Sequence, residues 1–91
     1  MKVKLYATLR SKVGSATLDV EPPPDAMVHH ILADVTARYP VLKDAIWDEN
    51  GGLVDFVHVL VNGRDVRYLN GLNTPIQPRD AIDIFPPVGG G

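Results

Sequence analysis

Apolar and polar residues alternate along the first nine residues of the chain. The alternation has a period of two, typical of a strand with one buried face, and its apolar positions are Val3, Leu5, Ala7 and Leu9. Gly14 and Ser15 predict a turn, and residues 16–20 then alternate again. Residues 1–21 therefore predict a β-hairpin with a loop of several residues.

A second periodicity begins after the three consecutive prolines at 22–24. Apolar residues recur there with the spacing of one helical face, at Val28, Ile31, Leu32 and Val35. Asp25 offers a carboxylate that is expected to cap this helix. Pro40 is expected to end the helix near Tyr39, because the position before a proline avoids helical backbone angles. The pattern predicts one long helix that packs against a core.

The stretch from 41 to 55 has no clear period. It carries four acidic residues around Trp47 and two adjacent glycines, namely Asp44, Asp48, Glu49 and Asp55. Their spacing lacks the alternate oxygen ligands of an EF-hand calcium loop. A short turn of helix and a solvated acidic loop are therefore expected, and the sequence assigns this segment no function.

The rest of the chain predicts three strands. Residues 56–61 are the most strand-like run, and Asn62 and Gly63 after it are a strong hairpin signal. Residues 64–68 are expected to return as a short strand, and residues 81–85 predict the final strand. A single helix over one face of a mixed sheet buries the apolar side of both layers, so the expected fold class is α+β.

Composition narrows the class of protein. The 91 residues are expected to form one domain with a core of modest size. Hydrophobic residues make up 45% and charged residues 22% of the chain, as is typical of soluble globular proteins. No apolar run reaches the roughly 18 residues that a membrane span needs, and a strand pattern stands where a signal peptide would need an apolar core. A cytoplasmic location is therefore expected.

Charge and residue content weigh against several functions. The net charge of −2, without a cluster of Lys and Arg, provides no electrostatic footprint for nucleic acid. The chain has no cysteine, which removes disulfides, a thiolate nucleophile and most structural zinc sites. His29 and His30 would point about 100° apart on a helix and could not chelate one metal from the same face. No metal site is expected.

The chain ends in Val88 and three glycines, Gly89, Gly90 and Gly91. A glycine run has no side chains, so it can pass through a channel too narrow for substituted residues. Pro86 and Pro87 favour an extended root that would project the terminal carboxylate away from the body. This carboxylate is the candidate reactive group. The alternative is an ordinary frayed terminus.

Three segments of the chain resemble the MoaD/ThiS family of ubiquitin-like sulfur-carrier proteins. They are residues 5–10 (LYATLR), the hairpin at 61–63 and, above all, residues 83–91 (DIFPPVGGG). The resemblance covers nearly the whole chain, which is placed in the CysO-like or MoaD-like small modifier subgroup, and residues 56–72 look closest to CysO-type carriers and archaeal-type small modifier proteins. One departure is Arg79, since the family often has glycine before the aspartate of the last turn, here Asp80.

The resemblance implies a ubiquitin-like β-grasp fold. This fold has a mixed sheet of four to five strands and one main helix, and its first and last strands lie side by side and parallel at the centre. Residues 1–91 would form a single domain, with residues 86–91 as a flexible tail.

In that fold, the alternation of side chains defines two faces of the sheet. The residues expected to face the helix are Val3, Leu5, Ile82 and Ile84. Tyr6 and Phe85 would stand on the opposite face with Leu60 and His58, in an apolar patch of the kind that marks a partner site. The expected partner-binding residues are Tyr6, Leu60, Phe85, Pro86, Pro87 and Val88. The alternative is that the acidic loop folds over this patch.

The resemblance also implies a mechanism. A ubiquitin-activating-like adenylyltransferase would use ATP to adenylate the Gly91 carboxylate, and a sulfur donor would then displace AMP and leave a thiocarboxylate. Gly91 is thus the expected reactive residue, with Gly89 and Gly90 as its tail and no cofactor bound to the chain. The acceptor would be the large subunit of molybdopterin synthase, a cysteine synthase or a thiazole synthase, in molybdopterin, cysteine or thiamine biosynthesis. The chain itself would be a carrier or small subunit, not an enzyme.

Two other functions stay open at this point. The chain could be a protein modifier whose Gly91 forms isopeptide bonds to lysines. It could also be a non-catalytic β-grasp interaction module with an inert tail. Loss of Gly90 and Gly91 would distinguish the module, because a module would keep its partners.

Overall fold

A five-stranded mixed sheet organises the protein in a computed structural model that describes residues 1–87. The strands are β1 (Lys2–Leu5), β2 (Thr17–Asp19), β3 (His58–Val61), β4 (Arg64–Asp65) and β5 (Ala81–Phe85). The helices are α1 (Ala7–Val13), α2 (Val28–Arg38) and α3 (Lys43–Ile46), with 3-10 turns at Pro40–Leu42, Val66–Tyr68 and Gly71–Asn73. The strand order is β2-β1-β5-β3-β4. Across residues 1–87, every helix is too short or too polar to traverse a lipid bilayer.

The first and last strands pair at the centre of the sheet. They run parallel, with Lys2 opposite Ala81 and Leu5 opposite Ile84. On its other side β5 pairs antiparallel with β3, so that Phe85, the last residue of β5, lies opposite His58, the first residue of β3. The expected β-grasp arrangement is therefore confirmed.

Helix α2 covers one face of the sheet and closes the core. Its four predicted apolar positions, Val28, Ile31, Leu32 and Val35, are all fully buried. The sheet positions predicted to face the helix, Val3, Leu5, Ile82 and Ile84, are buried as well. The helix ends at Arg38, just before Tyr39 and Pro40, as predicted. The apolar face of the helix and the apolar face of the sheet thus bury each other.

The predicted cap of α2 is wrong. The helix begins at Val28, so Met27 occupies the capping position and Asp25 lies too early in the chain to reach the first turn. His30 takes over part of the capping role, because the Met27 N–H donates a hydrogen bond to His30 Nδ1 at 2.9 Å. A side chain in the first turn that reaches back to the N-cap N–H is half of a capping box.

We expect His30→Ala to lower the free energy of unfolding by about 1 kcal/mol, since it removes this capping hydrogen bond. Thermal denaturation followed by circular dichroism should show a melting temperature lower by roughly 4–8 °C. Asp25→Asn is the control and should leave the melting temperature unchanged. Equal melting temperatures for His30→Ala and the wild type would contradict the assignment of the cap.

The predicted hairpin over residues 1–21 is only partly correct. β1 and β2 do pair antiparallel, with Lys2 opposite Asp19, but residues 7–13 form α1 and do not extend the strand. Ala7 has a φ of 51°, which breaks the extended chain directly after Tyr6. Leu9 is buried and stands four residues before the half-buried Val13, so both lie on one face of the helix. Gly14, with a φ of 81°, ends the helix, and its N–H donates a hydrogen bond to the Arg10 carbonyl.

β3 and β4 are shorter than predicted, whereas β5 spans residues 81–85 as predicted. β3 begins at His58 because Phe56, at φ 67°, belongs to a turn. Asn62 and Gly63 both have positive φ, as a two-residue hairpin of type I′ requires, which confirms the predicted turn. β4 stops at Asp65, whose carboxylate accepts the Arg67 N–H at 2.9 Å and starts a 3-10 turn.

The segment from 40 to 55 contains the predicted short helix, α3, and the acidic loop. Trp47 joins this segment to α2, because its indole N–H donates to Thr36 Oγ1 at 3.1 Å. The Asp48 carboxylate closes the loop by accepting the N–H groups of Asn50 and Gly52. The loop is thus anchored on the helix side of the sheet, contrary to the alternative in which it covers the opposite face. Among residues 1–87, no three His, Asp or Glu side chains converge as a metal site would require.

Candidate functional site

The face of the sheet that points away from α2 carries the predicted apolar patch. We call it the open face and define it by Lys4, Tyr6, His58, Leu60, Asp83 and Phe85. These residues alternate with buried neighbours along their strands or, for Tyr6, follow the last residue of β1. Tyr6, Leu60 and Phe85 are half-buried. Apolar side chains therefore reach solvent at the centre of the sheet.

Tyr6 and Phe85 form a stacked pair on this face. Their ring centroids are 4.1 Å apart and their planes differ by 13°. The parallel register produces the contact, because Leu5 lies opposite Ile84 and the next residue of each strand therefore lies on the same side. The Tyr6 N–H donates to the Ile84 carbonyl at 3.3 Å and continues this pairing. The stack stands at the end of β5, where the chain continues toward the tail.

Asp83 is the hydrogen-bond partner of Tyr6 on this face. The Tyr6 hydroxyl donates a hydrogen bond to Asp83 Oδ1 at 2.9 Å. This bond raises the pKa of Tyr6, and desolvation and the negative charge of Asp83 raise it further. Tyr6 therefore stays a neutral donor, and its ring is oriented by both the bond and the stack.

A second polar contact links His58 on β3 to Asp65 on the edge strand β4. Their Nδ1 and Oδ2 atoms are 2.8 Å apart. Burial alone would raise the pKa of Asp65, but the hydrogen bond from the Arg67 N–H and the interaction with His58 lower it below the ordinary aspartate value. Asp65 therefore stays ionised. Since Asp83 and Asp65 are both satisfied within the sheet, the open face can be covered by a partner without leaving those carboxylates unpaired.

The root of the tail follows directly. Pro86 is buried and Pro87 is exposed, and Pro87 is the last residue that the structure describes. Val88, Gly89, Gly90 and Gly91 lie outside the described residues, so the predicted reactive carboxylate and its tail remain predictions. The structure brings Tyr6, Leu60 and Phe85 onto one face, and the partner-binding role of that face is likewise a prediction.

Some residues of this region were not singled out by sequence reasoning. The position of Asp83 on the open face could have been predicted, because Asp83 stands two residues before Phe85 on the same strand and therefore shares its face. The contacts of Asp65 and Arg67 could not, because they depend on the end of β4 and the 3-10 turn. The prediction of Phe56 as a strand residue is wrong, because it lies in a turn with 74% of its surface exposed.

Comparison with known proteins agrees with this geometry. The sequence model of the ThiS family matches residues 3–91. Small archaeal modifier protein 3 of Haloferax volcanii is 35% identical over 91 residues, which is all of this chain and 98% of that protein. The sulfur carrier protein CysO of Mycobacterium tuberculosis is 36% identical over 63 residues, or 67% of this chain and 68% of that protein.

A solved structure shares the whole fold. The crystal structure of the BexX/CysO complex of Amycolatopsis orientalis contains a chain that superposes with a TM-score of 0.84 at 31% identity, over 99% of this chain and 98% of that one. The family match and the structural match therefore agree on the β-grasp fold. The chain belongs to the ThiS family of small ubiquitin-like sulfur carriers, which serve as carriers and not as enzymes.

Proposed function

We propose that this protein carries sulfur on the carboxyl group of Gly91 as a thiocarboxylate. The observation that supports this most is the stacked Tyr6 and Phe85 pair. It stands at the end of the central strand, directly before the predicted tail, where an enzyme that holds the tail would meet it. An aromatic pair held by Asp83 offers such an enzyme a rigid surface to bind.

The proposed chemistry has two steps. First, the Gly91 carboxylate attacks the α-phosphorus of ATP on a ubiquitin-activating-like adenylyltransferase, and pyrophosphate leaves. A donor at the sulfide level, hydrosulfide, then attacks the acyl carbon of the adenylate, AMP leaves with the bonding electrons, and the proton of the thioacid passes to solvent. The product keeps one oxygen and gains one sulfur. Because the chain has no cysteine, its C-terminal carbon is the group available for carrying sulfur covalently.

The chain's own residues would bind and orient in this scheme. Tyr6, Leu60 and Phe85 would dock the adenylyltransferase and then the acceptor enzyme, with Pro86, Pro87 and Val88 leading into the enzyme. The glycines would let the thiocarboxylate enter a narrow site. The relative named as a sulfur carrier supports the carriage of sulfur. The proposed acceptor is molybdopterin synthase, a cysteine synthase or a thiazole synthase.

A second function has its own support. Small archaeal modifier protein 3 matches this chain from end to end, which favours conjugation of Gly91 to lysines of other proteins. This use would share the adenylation step and differ in the nucleophile, a lysine amine in place of a sulfur donor. Both functions could therefore use the same docking face.

The test is the intact mass of the protein isolated from its own cells, before and after treatment with iodoacetamide. A thiocarboxylate adds about 16 Da, which methionine oxidation also adds, so the alkylation step is decisive. We expect rapid alkylation near neutral pH that maps to Gly91, since the chain has no cysteine to compete.

Two other results would change the conclusion. Gly91 linked to lysines, without any alkylated form, would establish the modifier function in place of the sulfur carrier. Neither product, in cells grown with ample sulfur, would favour an interaction module with an inert tail.

A further inference from the structure

Phe56 combines a strained backbone conformation with an exposed aromatic side chain. Its backbone has a φ of 67°, in the left-handed region that bulky side chains rarely adopt. Its side chain is 74% exposed, so little packing offsets the backbone strain. Asparagine or glycine would suit this turn better. An exposed aromatic side chain in a strained backbone is a feature that functional surfaces retain and stability alone does not explain.

The surrounding structure enforces this conformation. Val57, the next residue, is fully buried and anchors the turn to the core. The Arg67 guanidinium donates hydrogen bonds to the carbonyls of Val57 and Val54, on either side of the turn. These contacts fix the backbone around Phe56, while its side chain is exposed to solvent.

The position of Phe56 relates it to the tail. β3 and β5 are antiparallel, and His58 lies opposite Phe85. Phe56, two residues before His58, therefore lies at the same end of the sheet as Pro87, two residues after Phe85. The chain continues from β5 toward the tail at this end. An enzyme that holds the tail must approach this end.

A cleft lies beside Phe56. It has a volume of about 420 Å³ and is lined by Asp55, Phe56, His58 and Arg67. His58 belongs both to this cleft and to the open face, so the two surfaces are continuous. The Asp55 and Arg67 side chains in its lining carry opposite charges and so give the cleft no field of one sign, while the Phe56 ring supplies its apolar surface.

We infer that Phe56 and its cleft extend the docking surface of the open face, and that the cleft receives an apolar side chain of the enzyme that takes up the glycine tail. The inference rests on the proposed function, because it needs a tail-binding enzyme. Phe56 is an anchor at the margin of the interface, with Tyr6 and Phe85 at its centre.

The test measures the dissociation constant for the ubiquitin-activating-like adenylyltransferase of the same organism, with the full-length wild type and three variants. Phe56→Asn suits positive φ but lacks the ring, so it should bind about tenfold more weakly while its melting temperature equals or exceeds that of the wild type. Tyr68→Asn is the matched control. Tyr68 is 88% exposed but does not line the cleft, and its replacement should leave binding unchanged. Phe85→Ala should weaken binding and reports on the open face.

The outcomes separate the inference from the proposed function. If Phe85→Ala weakens binding and Phe56→Asn does not, the docking surface ends at the open face; the inference is wrong and the proposed function stands. A clearly lower melting temperature for Phe56→Asn would make Phe56 a structural residue and would also overturn the inference. Dimerisation that Phe56→Asn abolishes would assign the cleft to a second copy of this chain, against the inference. If the wild type does not bind the adenylyltransferase, the inference and the docking step of the proposed function both fail.

Discussion

Deletion of Gly90 and Gly91 should abolish thiocarboxylate formation and leave the melting temperature unchanged. The deletion removes the proposed reactive carbon and the side-chain-free residue before it, so the new terminus would be too short to reach the adenylation site. β5 ends at Phe85 and the buried hydrophobic residues of the described part of the chain lie within residues 3–84, so the deletion leaves all of these residues in place. The measurement is ATP–pyrophosphate exchange by the adenylyltransferase, together with iodoacetamide labelling of the product.

Val88→Ala provides the comparison for this deletion, since it shortens a side chain of the tail and keeps all three glycines. It should retain exchange and labelling, with at most a reduced affinity. Alkylation of the truncated chain at an equal rate would contradict Gly91 as the site of sulfur attachment. A truncated chain that keeps all its cellular partners and functions would favour the interaction module.

Phe85→Ala should weaken binding of the adenylyltransferase by about 2 kcal/mol or more, roughly 30-fold in the dissociation constant. The expected loss of folding stability is smaller, about 1 kcal/mol, because the ring is half-buried and its main aromatic contact is the stack with Tyr6. Isothermal titration calorimetry and thermal denaturation of the same samples would give both quantities.

Two further variants serve as a comparison and a control for Phe85→Ala. Tyr6→Phe keeps the stack and removes the hydrogen bond to Asp83, so it should weaken binding less than Phe85→Ala does. Val41→Ala shortens another exposed apolar side chain, on the 3-10 turn next to α2, and should leave binding unchanged. Equal losses of stability and binding in Phe85→Ala would show that Phe85 supports the fold and does not specifically dock a partner.

Sequence patterns predicted the elements in which one period extends over several turns or residues. The stripe from Val28 to Val35 could only be helical, and Asn62 and Gly63 could only turn in the way that they do. α1 was missed because Leu9 fits both a strand that continues from Leu5 and a helical pair with Val13. The choice between them depends on the left-handed backbone of Ala7, which no local preference of alanine predicts.

The candidate site was predictable where it depends on strand parity. Tyr6, Leu60 and Phe85 share a face because the strands alternate, and the parallel pairing of β1 and β5 brings two of them into contact. The cleft at Phe56 was not predictable, because phenylalanine favours strands and the turn is imposed by the burial of Val57 and the hydrogen bonds from Arg67. Tertiary contacts here override the local preference.

The parallel pairing of β1 and β5 also has a consequence for biosynthesis. The strand made last fills the centre of the sheet, between the strand made first and β3. Without β5, no strand connects the β1–β2 pair to the β3–β4 pair, so the sheet cannot be completed before the residues of β5 emerge. Ribosomal arrest or premature termination before residue 81 therefore yields neither a closed core nor a glycine terminus. An incomplete chain would therefore present neither the folded open face nor the predicted reactive terminus to the proposed adenylyltransferase.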